Sequence, residues 1–557
     1  ANGQTFVLDQ AGAGLEFSDN VSVSGAVELG AGAFRASGDA TLSGSLSLLT
    51  DAQIEVGANQ TLSYSGSSLN VGANKLGLSG GGSLSNTQPV ILDQASSLLS
   101  FEGISQTGPV QVNVASDSGY GLEVKATVVV SKIEALAETS LVLSDNQSLS
   151  GDVLLSSGSG LTVSGNGLLA SSVELAGGAL RIPDNRILSN DLSLTSDSLL
   201  EITGELLLEQ SGGLGVGANV LSLSGGGRLN IAGGLHLDQA SSLLVLSGVT
   251  LDNVSTTSAS LGLRVDNASS IEFLEVLDST PLLISEGVSL TGGIELMQGG
   301  TLQLTGPGTV QSTLKLYGGT LDIDDNLSWS GVWSQEADGV IDIAVGNTLL
   351  YEDGNLDLGV HALEIKGAGS FDFTDNQSAI VLDQSSSLLE LSDNGTVSHV
   401  RIQATPSSGR GLQITGQPTL GSLELLVDTS LSVANQFSVE QGILVDGVTL
   451  TLNDNGIFTS SLVLDNGTLQ ISGQPTFSGT LSQTSPSRVR LNPGSLLTTE
   501  KALGLGHGVL QLEGPGTLAN GQTFVLDQAG AGLEFSDNVS VSGAVELGAG
   551  AFRASGD

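Results

Sequence analysis

The residues best equipped for chemistry in this chain are its carboxylates, and many of them sit beside an asparagine. Asp-Asn pairs begin at Asp19, Asp145, Asp184, Asp252, Asp266, Asp325, Asp375, Asp393, Asp454, Asp465 and Asp537. Two chemistries suit such a pair. Side-chain oxygens can ligate calcium, or Asp can cap its own backbone while Asn takes the left-handed conformation of a turn. Turn chemistry is the simpler reading, and stacked Asn side chains would then form hydrogen-bonded ladders. The segment Asp353-Gly-Asn355-Leu-Asp357 alternates oxygen ligands as a calcium loop does, but it lacks the glycine and distal Glu of an EF-hand. No cofactor is therefore expected, apart from sporadic calcium on an acidic surface.

The other reactive types are sparse. His236, His361, His399 and His507 show neither HxH nor HxxxH spacing. Asp324-Asp325 is a paired carboxylate with many equivalents elsewhere. The glycine runs at Gly80 and Gly225 lack the Gly-Lys-Ser/Thr of a phosphate loop. Trp329 and Trp333 are candidates for an exposed sugar platform, with strand alternation leaving two alternatives, both inside or both outside. Sequons begin at Asn20, Asn59, Asn146, Asn376 and Asn466, as chance provides in a chain this rich in Asn, Ser and Thr. Catalysis needs convergent acids, bases or nucleophiles. None is visible, so no catalytic residue, cofactor site or metal site is expected, and no enzyme.

Composition says what must position these residues. Aromatics make up 3% and charged residues 13% of 557 residues, against about 25% charged in ordinary globular domains. The apolar part is aliphatic and often β-branched, which suits strands. The mean hydropathy of +0.22 is too high for a disordered chain. A net charge of −42 excludes the basic footprint of a nucleic-acid binder. It also opposes docking on anionic lipid. There is no cysteine, hence no disulfide framework. No run of about 18 apolar residues is present to insert in a membrane.

Repeats then decide the architecture. Residues 519–557 repeat residues 1–39 without a change, at an offset of 518. The expected organisation is one complete tandem unit, 1–518, and the start of the next, 519–557. On that reading the chain is a window on a longer polypeptide continuing at both ends. A second repeat lies inside the unit. Leu-Asp-Gln recurs with its Asp at Asp9, Asp93, Asp238, Asp383 and Asp527, at spacings of 84, 145, 145 and 144 residues.

The finest period is a triplet of apolar, any, apolar residues recurring about every seven, as from Val173 to Leu243. Each triplet reads as a minimal strand, and the Gly, Ser, Asn and Asp between triplets read as turns. Three such sides make a turn of about 21 residues. Whole numbers of turns account for the longer spacings, as the strand faces require. The predicted fold is an all-β, roughly triangular parallel β-solenoid with about 25 turns per 518 residues. KIEALAE from Lys132 is the most helix-like stretch and is equally readable as strand or loop.

Three segments carry a family likeness: GGTLQLTGPGTV from Gly299, YGGTLDI from Tyr317 and DNGTLQISG from Asp465. They resemble the strand repeats of bacterial autotransporter passengers and large repeat adhesins. The resemblance implies a right-handed β-helix on a bacterial surface. The expected role is a segment of an extracellular filament or matrix fibre, whose partners are further copies of itself, in tandem and laterally. Two alternatives stay open: the stalk of a giant adhesin, and a polysaccharide-binding or -degrading solenoid.

Overall fold

A computed structural model describes residues 4–526 and 528–555. Among them there is no helix; all regular structure is strand. The chain forms two compact units, Ala1–Leu274 and Glu275–Asp557. Each is a parallel β-solenoid.

In the first unit one turn consists of Gly14–Phe17, Val21–Val23 and Val27–Leu29. The next consists of Ala33–Ala36, Ala40–Leu42 and Leu46–Leu48. Each strand pairs in parallel with its counterpart one turn on: Leu15 with Phe34, Val21 with Ala40, Val27 with Leu46. Alternation along a strand sends every second residue inward, so the inner residues of successive turns stack in columns. Phe34, Ile54, Leu78, Phe101, Val124 and Leu143 form one column, all of it solvent-inaccessible. The core is this narrow interior, which aliphatic side chains fill without many rings.

The second unit repeats the plan. Leu302, Leu321, Ile341, Ile365, Leu391, Ile414 and Val433 stack in one buried column. Its last strands include Phe524–Leu526, Val545–Leu547 and Ala551–Ala554. These are sequence duplicates of Phe6–Leu8, Val27–Leu29 and Ala33–Ala36, and they pair identically. Phe6 faces Val27 as Phe524 faces Val545, and Leu15 faces Phe34 as Leu533 faces Phe552. Counting one strand per turn, 25 turns separate Gly14–Phe17 from its counterpart Ala531–Phe535. The predicted turn of about 21 residues is thus observed.

The cross-section is less uniform than three equal sides. In Val128–Ala135, Ser148–Ser156 and Leu168–Ala176 two sides merge into one long strand. Ser289–Met297 and Thr309–Tyr317 do the same in the second unit. Where the corner flattens, a small residue takes the inner position: Ser171 and Ser312 are both buried there. The helix-like stretch from Lys132 runs through the end of the first of these strands, where Val128, Val130, Ile133 and Ala135 point inward, bends at Leu136-Ala137 and enters the next strand at Glu138.

Candidate functional site

In three of its five copies the Leu-Asp-Gln motif is a clamp between neighbouring turns; after Asp9 the fourth residue is Ala13 in place of the serine, and Asp527 lies outside the described residues. Asp93, Asp238 and Asp383 each accept the backbone N–H of a glycine one turn earlier, at 2.9, 3.0 and 3.0 Å from Gly72, Gly217 and Gly359. Four residues after each Asp, a buried serine closes the other side. Ser97, Ser242 and Ser387 donate to the carbonyls of the same three glycines at 2.6, 2.5 and 2.5 Å. Each serine also accepts a backbone N–H, from Gln94, Gln239 and Gln384. The glycines hold φ of 64, 62 and 57°, a left-handed conformation that residues with a Cβ resist. In these three copies the acid is thus committed to a backbone amide.

Two further contacts recur in step with the clamp. Asp51, Asp197 and Asp338 accept the N–H that opens a later strand, at Lys75, Val220 and Ala362, each at 2.8 Å. Tyr64 Oη, Gln210 Oε1 and Tyr351 Oη each accept an N–H eighteen residues earlier, from Leu46, Leu192 and Trp333. Replacing Ser242 by Ala leaves two backbone groups without their partner. The expected cost is about 1–3 kcal/mol, read as faster hydrogen exchange confined to the turns around Gly217 and Gln239. Unchanged exchange there would show the clamp to be idle.

The Asp-Asn pairs serve the same end. Asp325 accepts Gly306 N–H at 2.7 Å while Asn326 accepts Thr348 N–H at 2.9 Å, so one pair ties together three turns. Asn185, Asp393 and Asn455 accept the N–H of Glu205, Gly367 and Gln474. Asn146 and Asn466 take positive φ. The expected Asn ladders take another form: these bonds run from side chain to backbone. In the loop-like segment, Asn355 accepts Ala379 N–H at 3.1 Å, and burial together with the charge of Asp383 raises the pKa of Asp357. Among the described residues no three of His, Asp and Glu gather to hold a metal ion.

The histidines lie on separate turns. His236 Nδ1 is 2.7 Å from Ser255 Oγ, and His507 Nδ1 is 3.3 Å from Ala529 O. His361 shares only backbone bonds with Leu358 and Leu388. His399 alone has charged neighbours. Its Nδ1 lies 3.1 Å from Ser378 O and its Nε2 lies 3.8 Å from Glu424, which Arg401 pairs at 2.5 Å. Arg401 also donates to Gln377 O. Burial, then the Arg401 charge, lowers the His399 pKa and keeps the ring neutral at pH 7. Asp375 accepts Gln377 and Ser378 N–H and folds the adjoining loop. The groove between that loop and the strands encloses about 810 Å³. Asp375 and Arg401 of its lining hold the loop, and Glu424 is paired with Arg401.

No family model and no curated protein matches the chain. Its reading therefore rests on its own geometry.

The proposed sugar platform is overturned. Trp329 and Trp333 are 0% and 5% exposed. Their rings meet edge-on at 5.1 Å and continue into Tyr351, Phe371 and Phe373 inside the solenoid. Parity decides this, since Leu327–Trp329 and Trp333–Gln335 present Trp at an inner position. Burial lifts the Tyr351 phenol to about 12, above the ordinary value near 10. Its neutral form is thus fully stabilising below pH 10. Stability is then lost as pH climbs from 10 to 12, by about 1.4 kcal/mol per pH unit. Resistance of this region to urea is expected to weaken across that window, and Tyr351→Phe is expected to remove this contribution.

The sequence reading missed Arg186. It occupies an inner position, is 6% exposed, and donates to Gly167 O and Gly165 O at 2.8 and 2.6 Å. Burial lowers its pKa. The signal available was its place two residues before Leu188, on the same parity. Most other basic residues face carboxylates a turn away, as Lys75 does Glu102 and Arg228 does Asp252; Arg228 also reaches Glu272 two turns on.

Proposed function

We propose that this chain is a structural segment of an extracellular bacterial filament or matrix fibre, built from tandem β-solenoid units and without catalytic activity. The observation that carries the reading is the duplicated segment. Residues 1–39 and 519–557 share one sequence, and their described strands pair in one register. A unit that ends on the strands with which it began can be followed by an identical unit without a break in the core. Polar side chains are consumed in joining turns, as expected of a load-bearing repeat. The acidic surface disfavours lateral clumping at low salt.

Electron microscopy of the native material tests this. Twenty-five turns at a strand spacing of ~4.8 Å predict an axial repeat on the order of 120 Å. Isolated particles without axial periodicity would sink the proposal. Long repeats ending in a distinct head would favour an adhesin stalk. A polysaccharide-binding role is the second reading, with the groove beside His399 as its candidate site, and a glycan array probed with the 557-residue chain tests it.

A further inference from the structure

Two side chains of the next turn hold the loop of residues 375–378 beside the His399 groove. Arg401 donates to Gln377 O at 3.1 Å, and His399 Nδ1 lies 3.1 Å from Ser378 O. A carbonyl oxygen only accepts, so Nδ1 carries the proton of the neutral ring. Nε2 then presents a lone pair to Glu424 Oε2 at 3.8 Å. That same oxygen accepts the Arg401 Nε–H. One carboxylate oxygen thus faces two basic side chains, and both of them hold the loop. The other charged groups on the elements packed against the ring are Asp372, on the preceding strand, and Asp375, whose carboxylate is spent on Gln377 and Ser378 N–H. Asp446 lies further along the groove, two turns on.

We infer that this cluster is an acid-released latch: a proton on His399 Nε2 turns the ring from Ser378 O toward Glu424, displaces Arg401, and frees the loop to open the groove. An ion-paired hydrogen bond closes to about 2.8 Å, so the ring must move roughly 1 Å from its present 3.8 Å. That movement draws Nδ1 away from Ser378 O. The new cation also competes for the oxygen that orients Arg401, and repels the guanidinium that holds Gln377 O. Both ties to the loop weaken in one step. The direction follows from the surroundings of the ring. Burial, then the Arg401 charge, lowers its pKa from the ordinary 6.5. The closed loop is therefore fully stable above pH 6.5 and loses stability as pH falls through the lowered value. Opening relieves the burial, so the proton binds the open form better and shifts the population toward it. The groove is lined by Leu426 and Leu444, each 51% exposed, beside Asp446. The latch operates whether or not the groove takes a glycan.

The chain has no cysteine, so spin labels can be placed at will. Asn376 stands on the loop, and Ser461 lines the groove three turns beyond His399. Both are exposed. The full-length chain carrying Asn376→Cys and Ser461→Cys, with a nitroxide on each, reports the width of the groove by pulsed electron paramagnetic resonance. One short separation at pH 7.5 is expected to give way to a longer, broader one by pH 5. Adding His399→Asn keeps a side-chain amide to donate to Ser378 O but removes the titrating group. That variant is expected to hold the short separation throughout. Nitrogen-15 spectra of the rings supply a second readout. At pH 7.5 His399 is expected to carry its proton on Nδ1, and its titration is expected to coincide with the change in separation. A separation that stays constant from pH 7.5 to 5 overturns the latch. So does an equal change in His399→Asn, or a neutral ring with its proton on Nε2.

Discussion

Deleting the nineteen residues Thr449–Gly467 is expected to cost less stability than changing the single residue Leu450. The deletion removes one whole turn, Thr449–Leu452, Ile457–Phe458 and Leu462–Asp465. The following turn repeats it at a constant offset: Thr449 faces Thr468, Ile457 faces Thr476, and Leu462 faces Leu481. Closing the gap brings Leu431 against Ile471, Phe437 against Phe477 and Ile443 against Leu481. Each junction keeps its inner residues apolar. A solenoid's stability is close to a sum over turns and their interfaces, so the shortened chain loses one turn and little else. By contrast, Leu450→Asp puts a carboxyl into a fully buried column beneath Leu469. A buried charge without a partner is among the few changes that cost more than about 4 kcal/mol. Calorimetry and hydrogen exchange across residues 429–491 should show near-native protection for the deletion and local melting for the aspartate. Equal damage from both would mean that turns are not interchangeable modules.

Gly151→Ala is expected to be the most damaging glycine substitution in the first unit. The strand Ser148–Ser156 crosses a corner where the pairing shifts: Val129 faces Ser150 and Lys132 faces Asp152. Val130 and Ser131 of the earlier turn therefore crowd the single residue Gly151. Its φ is 125°, and an added Cβ would lie 1.7 Å from Val130 O. The conformation itself costs an alanine about 1–2 kcal/mol, and the obstacle is backbone that is already paired. A total of about 3–5 kcal/mol is expected, in the range reserved for strained special positions. Gly158 is the control. Its φ is also positive, at 77°, but nothing lies within 4 Å of an added Cβ, so Gly158→Ala carries the conformational cost alone. Comparable thermal shifts for the two variants would remove the crowding argument.

How much of this was legible follows from which signals are local. Apolar triplets announce strands because parity is a property of neighbouring residues, and their turn length fell out of their spacing. The Leu-Asp-Gln repeat was visible as a spelling, but its partner glycine lies about a turn away, as Gly217 does from Asp238. No local signal links two residues so far apart. The tryptophans failed for a related reason. Between Trp329 and Trp333 the chain bends at Ser330-Gly331-Val332, which leaves the parity of each undetermined until both strands are seated. Gly331 there has φ of 156°. The His399, Arg401 and Glu424 cluster draws on two turns and a loop, and its members carry no shared motif. The fused strands at Gly151 and Gly292 were hidden too, since a flattened corner uses the same residues as a sharp one.

The clamps have a consequence for synthesis. Asp93 to Gly72, Asp238 to Gly217, Tyr64 to Leu46 and Asn185 to Glu205 all join residues 18 to 21 positions apart. Contacts so close in sequence need only short loops to close, and closure entropy rises slowly with length. Folding speed follows such sequence separations more than total size. A nascent chain therefore never waits for a distant partner. As soon as a turn has emerged, the edge of the preceding turn offers it a register and a set of hydrogen bonds. The molecule can thus grow by templated addition, at a rate that does not depend on how long it has already become.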